Sequence, residues 1–418
     1  MSNSKIINKI GQPDFQNNLW TFLAASVFSA FILLVVLITT RWVGLAEAGM
    51  VSFAAAVALL SHSLVTFSVR VFQSSDTNRE YSLHAYLGLR VCTALLATVV
   101  IVVFLVASRF DATRTIVIAL FYFIFLTTGF ADVFMGDLQQ NGKMRIAGRM
   151  HVCSFGLGFI AFAVTLSVTQ SLVISLVSSS IVIFLTFIAW IWFYQNHFGK
   201  IRIKYDIAAI KTLIRAVMPL FLGGLIFGFL YNMQKYYLGF SDTDESVAIL
   251  TILIMPITAL QLLSGSFFGG AEMTKTAEIF TSGQLQGLSQ RINKQLFLAL
   301  AMSVFFILCV VTFGEPLLAW LFSTDLSPFR LELLIVAFGG SFFAAFSVLY
   351  ALMAVLRLQK AFIYCMSAVA LVTAPLMWFV VAHYGITGAA FTNLAVLLPT
   401  SVALFIICRV RLAKLRSG

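Results

Sequence analysis

The sequence predicts an all-α, polytopic membrane protein with twelve transmembrane helices in two six-helix lobes, and three observations carry that expectation. Twelve apolar runs of about 20 residues fill the chain, each long enough to cross roughly 30 Å of hydrocarbon as a helix. Hydrophobic residues make up 61% of the chain and charged residues 10%, and the 42 phenylalanines exceed the needs of one globular core. Lysines and arginines fall almost entirely on alternate connections, the asymmetry that orients membrane helices.

In chain order the runs lie at about 18–40, 46–69, 86–107, 115–135, 150–170 and 172–194, then about 213–238, 247–268, 295–314, 331–355, 362–382 and 387–408. The first is too long for a cleavable signal, and Arg41 and Trp42 follow it where small residues would mark a cleavage site, so it is expected to remain in the membrane. The most polar internal stretch, Tyr194 to Arg215, divides the chain into lobes 1–205 and 206–418. Each half repeats one rhythm: a span, a short external turn, a second span, then a polar cytoplasmic segment leading to the third. Arg70 to Tyr86 fills that place in the first half and Gly269 to Lys294 in the second, so spacing and hydropathy predict an internal duplication. Charge, glycine and apolar residues mix between Gly270 and Lys294, which predicts a short interfacial helix. Pro219, Pro256, Pro375 and Pro399 lie within spans, where each removes a helix hydrogen bond and predicts a kink.

Of the 27 basic residues, only Arg41, Arg109, Arg114, Lys235 and Arg330 fall on the external side, which predicts both termini in the cytoplasm. The net charge of +11 is spread over short cytoplasmic segments and forms no groove-sized cluster, so the expected partners are anionic membrane lipids, not nucleic acid. Cys92, Cys153, Cys309, Cys365 and Cys408 stand singly in apolar spans without metal-ligand spacing and read as small apolar side chains. The sequence has no GxSxG turn, no phosphate-binding GxxxxGK[ST] loop, and no external loop large enough for an active-site domain. The expectation is therefore a transporter, with no enzymatic centre, cofactor or resident metal.

Charges at membrane depth are costly and tend to face a bundle interior or a watery cavity, which singles out a few residues. Lys235, in FGFLYNMQKYYLG, lies about 30 Å beyond Arg215 on one helix, near the outer end of the seventh span. It would meet an anionic phosphate as a compact charge or snorkel to the interface, and the neighbouring Asn232, Gln234 and Tyr236 favour the first role. Arg70 closes the second span and Arg90 opens the third, so both are expected near the cytoplasmic headgroups, as phosphate contacts or as anchors. Asp132 and Asp137, at the inner end of the fourth span, suit either ion coupling or a salt bridge to Lys143 or Arg145. Arg41, His62 and Gln261 form a second tier, read as an external anchor, a packing residue and a helix bridge, with Arg41 also a substrate candidate.

Three stretches, VRVFQSSDTNREYSLHAYLGLR, ADVFMGDLQQNGKMRIAGRM and YNMQKYYL, resemble the usual sequences at those topological positions in the multidrug/oligosaccharidyl-lipid/polysaccharide (MOP) exporter superfamily. Within it the chain looks like the Wzx-type polysaccharide flippases. The resemblance implies a MATE-like fold, two six-helix lobes around a central cavity, and alternating access. It implies export of an undecaprenyl-diphosphate-linked oligosaccharide repeat unit to the outer leaflet of the bacterial cytoplasmic membrane for capsule, O-antigen or a related polymer. A polysaccharide polymerase and chain-length machinery would be partners. Carried over to this chain, the phosphate-binding role falls on Lys235, Arg70 and Arg90. The lipid II flippases of the superfamily typically have two further spans, a departure that turns the reading away from peptidoglycan.

Two other functions stand beside this one. A multidrug or cation antiporter of the same fold would need membrane-embedded carboxylates, which the spans hold mainly at their ends. A non-transporting scaffold of a polymer-synthesis complex would need neither the duplicated halves nor prolines within spans.

Overall fold

The computed structural model describes residues 13–75, 81–199, 201, 207–268 and 270–417. Twelve helical segments are long and apolar enough to cross a membrane, and no strand occurs among the described residues. In chain order the helices, spanning and short alike, are α1 (Pro13–Trp42), α2 (Leu45–Thr66), a short α3 (Val69–Ser75), α4 (Leu83–Ser108), α5 (Ala112–Gln140), α6 (Met144–Thr169) and α7 (Leu172–Phe198). There follow α8 (Ile207–Ser241), α9 (Asp244–Phe268), α10 (Gly270–Thr281), α11 (Leu285–Cys309), α12 (Glu315–Phe322), α13 (Arg330–Val355), α14 (Gln359–Ala390) and α15 (Thr392–Ser417). The helices overrun their apolar runs because charged ends continue the backbone hydrogen bonding beyond the hydrocarbon. Serine and aspartate caps set several starts: Ser82 Oγ accepts from Ala85 N, and Asp111 Oδ2 from Arg114 N.

The chain forms two compact units, Met1–Leu225 and Ile226–Gly418, and the division falls inside α8. Residues 202–206, which hold the boundary read from the sequence at 205/206, lie outside the described residues.

Helix pairing repeats between the units. In the first, the fourth span α5 is flanked by α2, α4 and α7; in the second, the corresponding α13 is flanked by α9, α11 and α15. A short helix between second and third spans, α3 or α10, occurs in both. Lipid tails are as apolar as leucine, so helix association here depends on close approach and small residues. Gly129 of α5 lies against Val65 of α2, and Gly340 of α13 against Ile257 of α9, so the same pair of spans closes on a glycine in each unit. The outward faces carry bare apolar side chains, with Val168 79% and Leu371 77% exposed, surface that lipid would cover.

The elements refine the sequence reading in detail. The ninth span does not end at 314: a π turn at Val310–Gly314 carries it into α12, ending at Phe322. The wide turn accommodates Pro316, which has no N–H to donate. Helices α8, α9, α14 and α15 run through Pro219, Pro256, Pro375 and Pro399, whereas the non-helical residue inside α14 is Gly385, at φ 54° and ψ −128°. Only glycine tolerates that backbone at low cost. The expected interfacial helix is α10, whose Glu272 pairs with Lys275 and with Arg291 of α11.

Candidate functional site

The N-terminal unit holds a cavity of about 220 Å³ whose walls include Phe28 of α1, His62 of α2, Arg70 of α3, Asp132 and Met135 of α5, and His151 of α6. Its volume is that of roughly seven water molecules at about 30 Å³ each. Two arginines converge on one aspartate beside it. Arg70 NH1 donates to Asp132 Oδ1 at 3.3 Å, and Arg90 NH2 to Asp132 Oδ2 at 3.2 Å. Two guanidiniums against one carboxylate leave an excess positive charge.

The arginines are held differently. Arg90 is fully buried and also donates through NH1 to the Val65 carbonyl, which accepts from Thr93 Oγ1 as well. Arg70 keeps 28% of its side chain exposed, and its bonds to Gln139 Oε1 are long, 3.4 Å from both Nε and NH2. One arginine is structural and the other is loosely tethered.

A break in the chain places Arg70. Helix α2 stops at Thr66, Phe67 and Ser68 both adopt left-handed conformations (φ 49° and 53°), and α3 starts in a new direction. Left-handed geometry costs a non-glycine residue about 1–2 kcal/mol. Phe67 is held by its ring, stacked 3.8 Å from Phe221 of α8. Gln73 of α3 is completely buried against Gly136 of α5, with neither side-chain polar atom bonded among the described residues. Ser68→Gly is therefore expected to raise the unfolding free energy by about 0.5–1 kcal/mol; thermal unfolding in detergent measures it, and an unchanged or lowered midpoint would refute the strain.

Three sequence expectations need correction. Arg90 is not a surface anchor: it lies about 10 Å along α4 from Leu83 and is fully buried within the N-terminal unit. Arg70 does not close the second span but belongs to α3. Asp132 is paired with Arg70 and Arg90, where the sequence suggested Lys143 or Arg145; the Lys143 ammonium lies over the Phe198 ring, 4.3 Å from its centroid. Spacing along the chain had favoured near neighbours, whereas helix packing brings residues 42 and 62 positions away to Asp132.

Asp137 does not join the cavity. Five residues beyond Asp132 it points about 140° round the helix, and its Oδ2 accepts from Tyr194 OH at 2.5 Å. Arg41 is exposed in the last turn of α1, about 20 Å along that helix from Phe28. His62 is packed as expected, Nδ1 lying 2.9 Å from the Phe125 carbonyl, yet it also lines the cavity. Sequence reasoning missed His151; a histidine at membrane depth just after Arg145 and Arg149 was the available signal.

In the C-terminal unit the remaining candidates share one stretch of α8. Asn232 Nδ2 donates to the Gly228 carbonyl at 3.1 Å, and Tyr236 is buried with its ring stacked on Phe229. Lys235 is partly buried and has no hydrogen-bond or ion-pair partner among the described residues. Nearby, Tyr231 OH donates to Gln261 Oε1 at 3.4 Å, which makes Gln261 a helix bridge as expected. Rings of Phe227, Tyr231, Phe343, Phe346, Tyr350 and Phe362 follow one another at centroid distances of 4.7–6.0 Å.

No family model matches the sequence, and no curated protein matches it. Solved structures do. An inward-facing multidrug resistance MATE family transporter of the MOP superfamily aligns over 93% of this chain and 95% of its own, at 14% identity and a TM-score of 0.70. A eukaryotic MATE transporter aligns over 96% and 97%, at 14% identity and a TM-score of 0.66. A MOP superfamily transporter from Pyrococcus furiosus, for which a reversed polarity of the binding pocket suggests a different function, aligns over 97% of both chains at 15% identity and a TM-score of 0.56. Backbone likeness at such low identity establishes architecture, and the architecture of this chain is the twelve-helix fold of the MATE transporters in the MOP superfamily.

Proposed function

We propose that the protein is a flippase that moves an undecaprenyl-diphosphate-linked oligosaccharide repeat unit from the cytoplasmic to the outer leaflet of a bacterial cytoplasmic membrane, with both termini in the cytoplasm. It performs transport, not catalysis, and its product supplies a polysaccharide polymerase and chain-length machinery. The observation that carries this reading is the surplus of positive charge: Arg70 and Arg90 against Asp132 in the N-terminal unit, and, in the C-terminal unit, a Lys235 with no partner among the described residues. Surplus charge of that sign suits a diphosphate and disfavours a lipophilic cation. Pocket polarity already separates one MOP superfamily transporter from the rest by proposed function, the Pyrococcus furiosus protein. Sugar hydroxyls lose their water hydrogen bonds in hydrocarbon, so an internal polar route is the least the reaction needs. The aromatic run through Tyr231 and Tyr350 would offer faces to sugar rings. Phosphate contacts fall to Lys235 and Arg70, with Asn232 and Tyr236 beside Lys235, while the buried Arg90 holds Asp132 in place.

A multidrug or cation antiporter is the second reading, and a specific observation favours it: Asp132 shares its cavity with Phe28 and Met135, a lining that would take a lipophilic cation. The leaflet distribution of the undecaprenyl-linked repeat unit separates the two in cells lacking the protein, cells carrying it, and cells carrying Lys235→Ala. Build-up on the cytoplasmic leaflet, relieved by the intact protein and reduced at least tenfold in relief by Lys235→Ala at equal abundance, is the expected result. An unchanged distribution without the protein would place the antiporter first, and full activity of Lys235→Ala would remove that lysine from the substrate path.

A further inference from the structure

We propose that a groove between α11 and α15 in the C-terminal unit binds an anionic phospholipid, its phosphate on Arg409 and an acyl chain along the groove. The site is separate from the proposed substrate contacts. Of the earlier readings it uses only the orientation that puts the start of α11 and the end of α15 at the cytoplasmic face.

Helix phase shows where the groove runs. Ile292, Ala299 and Ser303 of α11 are buried, as are Leu404 and Cys408 of α15. Ser303 Oγ donates to the Ser341 carbonyl of α13 at 2.6 Å, and Cys408 Sγ lies 3.7 Å from Met353 Sδ of α13, so α13 lies against both helices. One residue further on, about 100° round each helix, stand Asn293, Leu300 and Val304 of α11 and Phe405 and Arg409 of α15. Spans nine and twelve run in opposite directions, so the same step turns the two faces in opposite senses. They turn towards each other, for Arg409 NH2 donates to Asn293 Oδ1 at 2.7 Å.

Beyond that bridge the helices do not close. Phe297, Leu300 and Val304 follow Asn293 by 4, 7 and 11 positions, and Phe405, Val402 and Leu398 precede Arg409 by the same intervals. Each set therefore stays within about 40° of its bridging residue. Two apolar stripes on facing sides would bury one another if the helices met, yet all six side chains are 36–72% exposed. What remains is a slot with apolar walls, α13 at its back and a cation at one end. Within a bilayer a hydrocarbon chain fills such a slot.

Charge and depth select the occupant. The Arg409 guanidinium has the Asn293 amide and the Phe405 ring, 5.0 Å to its centroid, as neighbours, and no carboxylate pairs with it among the described residues. A guanidinium carries five N–H donors, so it can hold a phosphate through two of them while keeping Asn293. Lys294, the next residue of α11, is exposed and adds a second cation at that end. From Leu398 to Arg409 the stripe on α15 spans about 16 Å, close to half of a hydrocarbon core of about 30 Å. That is the depth of one leaflet, which one acyl chain of a phospholipid covers and an undecaprenyl chain far outruns. A zwitterionic headgroup would bring its ammonium towards Arg409 and Lys294, whereas phosphatidylglycerol brings only negative charge. The bound lipid would tie the cytoplasmic ends of spans nine and twelve across a contact bridged by the Arg409–Asn293 bond.

The protein, stripped of lipid in detergent, is titrated with phosphatidylglycerol or phosphatidylethanolamine and followed by native mass spectrometry, with thermal unfolding measured alongside. One phosphatidylglycerol is expected to bind first, at least fivefold tighter than phosphatidylethanolamine, and to raise the unfolding midpoint. Arg409→Gln is expected to weaken that first lipid about fivefold. Val402→Trp fills the slot while leaving the charge in place, and is expected to lose the lipid too. Lys211→Gln, at an exposed cation of α8 in the N-terminal unit, is expected to change nothing. Glycerol phosphate, which has the charge without the chain, is expected to leave the midpoint where it was. Equal affinity for the two lipids, or equal losses for Arg409→Gln and Lys211→Gln, would reduce the effect to diffuse attraction and overturn the inference. Full binding in Val402→Trp, or an equal midpoint rise with glycerol phosphate, would show that no chain occupies the slot. Displacement of phosphatidylglycerol by equimolar undecaprenyl phosphate would assign the groove to the substrate lipid and overturn the inference as well. None of these outcomes alters the leaflet distribution on which the flippase reading stands.

Discussion

Arg90→Ala is expected to strip most of the folded protein from the membrane. Arg90 has no exposed surface, and it satisfies both Asp132 Oδ2 and the Val65 carbonyl. Truncation leaves the carboxylate with the long bond from Arg70 as its remaining ion pair. Removing one partner of a buried pair costs about 3–5 kcal/mol, a large share of a total stability of about 5–15 kcal/mol. Arg70→Ala breaks a pair that is part solvated, so its cost is about 0–1 kcal/mol, and its effect is expected on transport. Membrane abundance and thermal unfolding in detergent separate the two variants: low abundance and a lowered midpoint for Arg90→Ala, near-normal values for Arg70→Ala. Arg90→Met combined with Asp132→Leu replaces the buried pair by apolar groups of similar volume, and it is expected to recover abundance without recovering transport. An Arg90→Ala protein as abundant and stable as the parent would show that the buried pair is not structural.

Fold and site were legible in the sequence to different degrees, for physical reasons. A helix in lipid must be apolar over a fixed length, so hydropathy alone reports the twelve spans, and the charge bias reports an expected orientation. Ends are set by caps and turns instead: Ser82 starts α4 ahead of its apolar run, and the π turn before Pro316 prolongs the ninth span. A proline tells only of one lost hydrogen bond, which neighbouring groups can absorb, so it does not mark where helical backbone geometry is left. The departure from helical geometry in α14 is at Gly385 instead.

The site failed in a more instructive way. Arg70, Arg90, Asp132 and His62 were all singled out as polar groups within spans or at their ends, but nothing in the sequence told which would meet. Arg90 and Asp132 are 42 residues apart, and their pairing depends on how α4 and α5 pack. Positive-inside counting assigned Arg90 to the lipid headgroups, since the count cannot tell an anchor from a buried counter-ion. His151 was passed over as one of five scattered histidines, although its depth in α6 was the same kind of signal that marked His62.

Gly339→Val is expected to be as damaging to the C-terminal unit as Arg90→Ala is to the first. A Cβ at Gly339 would lie 2.5 Å from the Leu394 backbone nitrogen and 2.9 Å from its Cα, so α13 and α15 are in backbone contact there. A backbone cannot rotate aside as a side chain can; the helices must separate along their shared face. In lipid that separation forfeits the packing that holds them together, because no hydrophobic force draws them back. Overpacking typically costs about 1–3 kcal/mol, and the rigid backbone neighbour places Gly339→Val at or above the top of that range. The adjacent Gly340 is an internal control. Its Cβ would meet the Ile257 side chain, Cδ1 at 2.3 Å and Cγ1 at 2.4 Å, which can yield by side-chain rearrangement where a backbone cannot, so Gly340→Ala is expected to cost about 1–2 kcal/mol. Fluorescence-detected size exclusion and thermal unfolding of the two variants read the difference. A sharp loss of monodisperse protein for Gly339→Val with near-normal behaviour for Gly340→Ala supports the backbone contact, and equal losses would show that α13 adjusts to both. Because α13 packs against α9, α11 and α15 at once, a shift at Gly339 would reach every neighbour of the central helix.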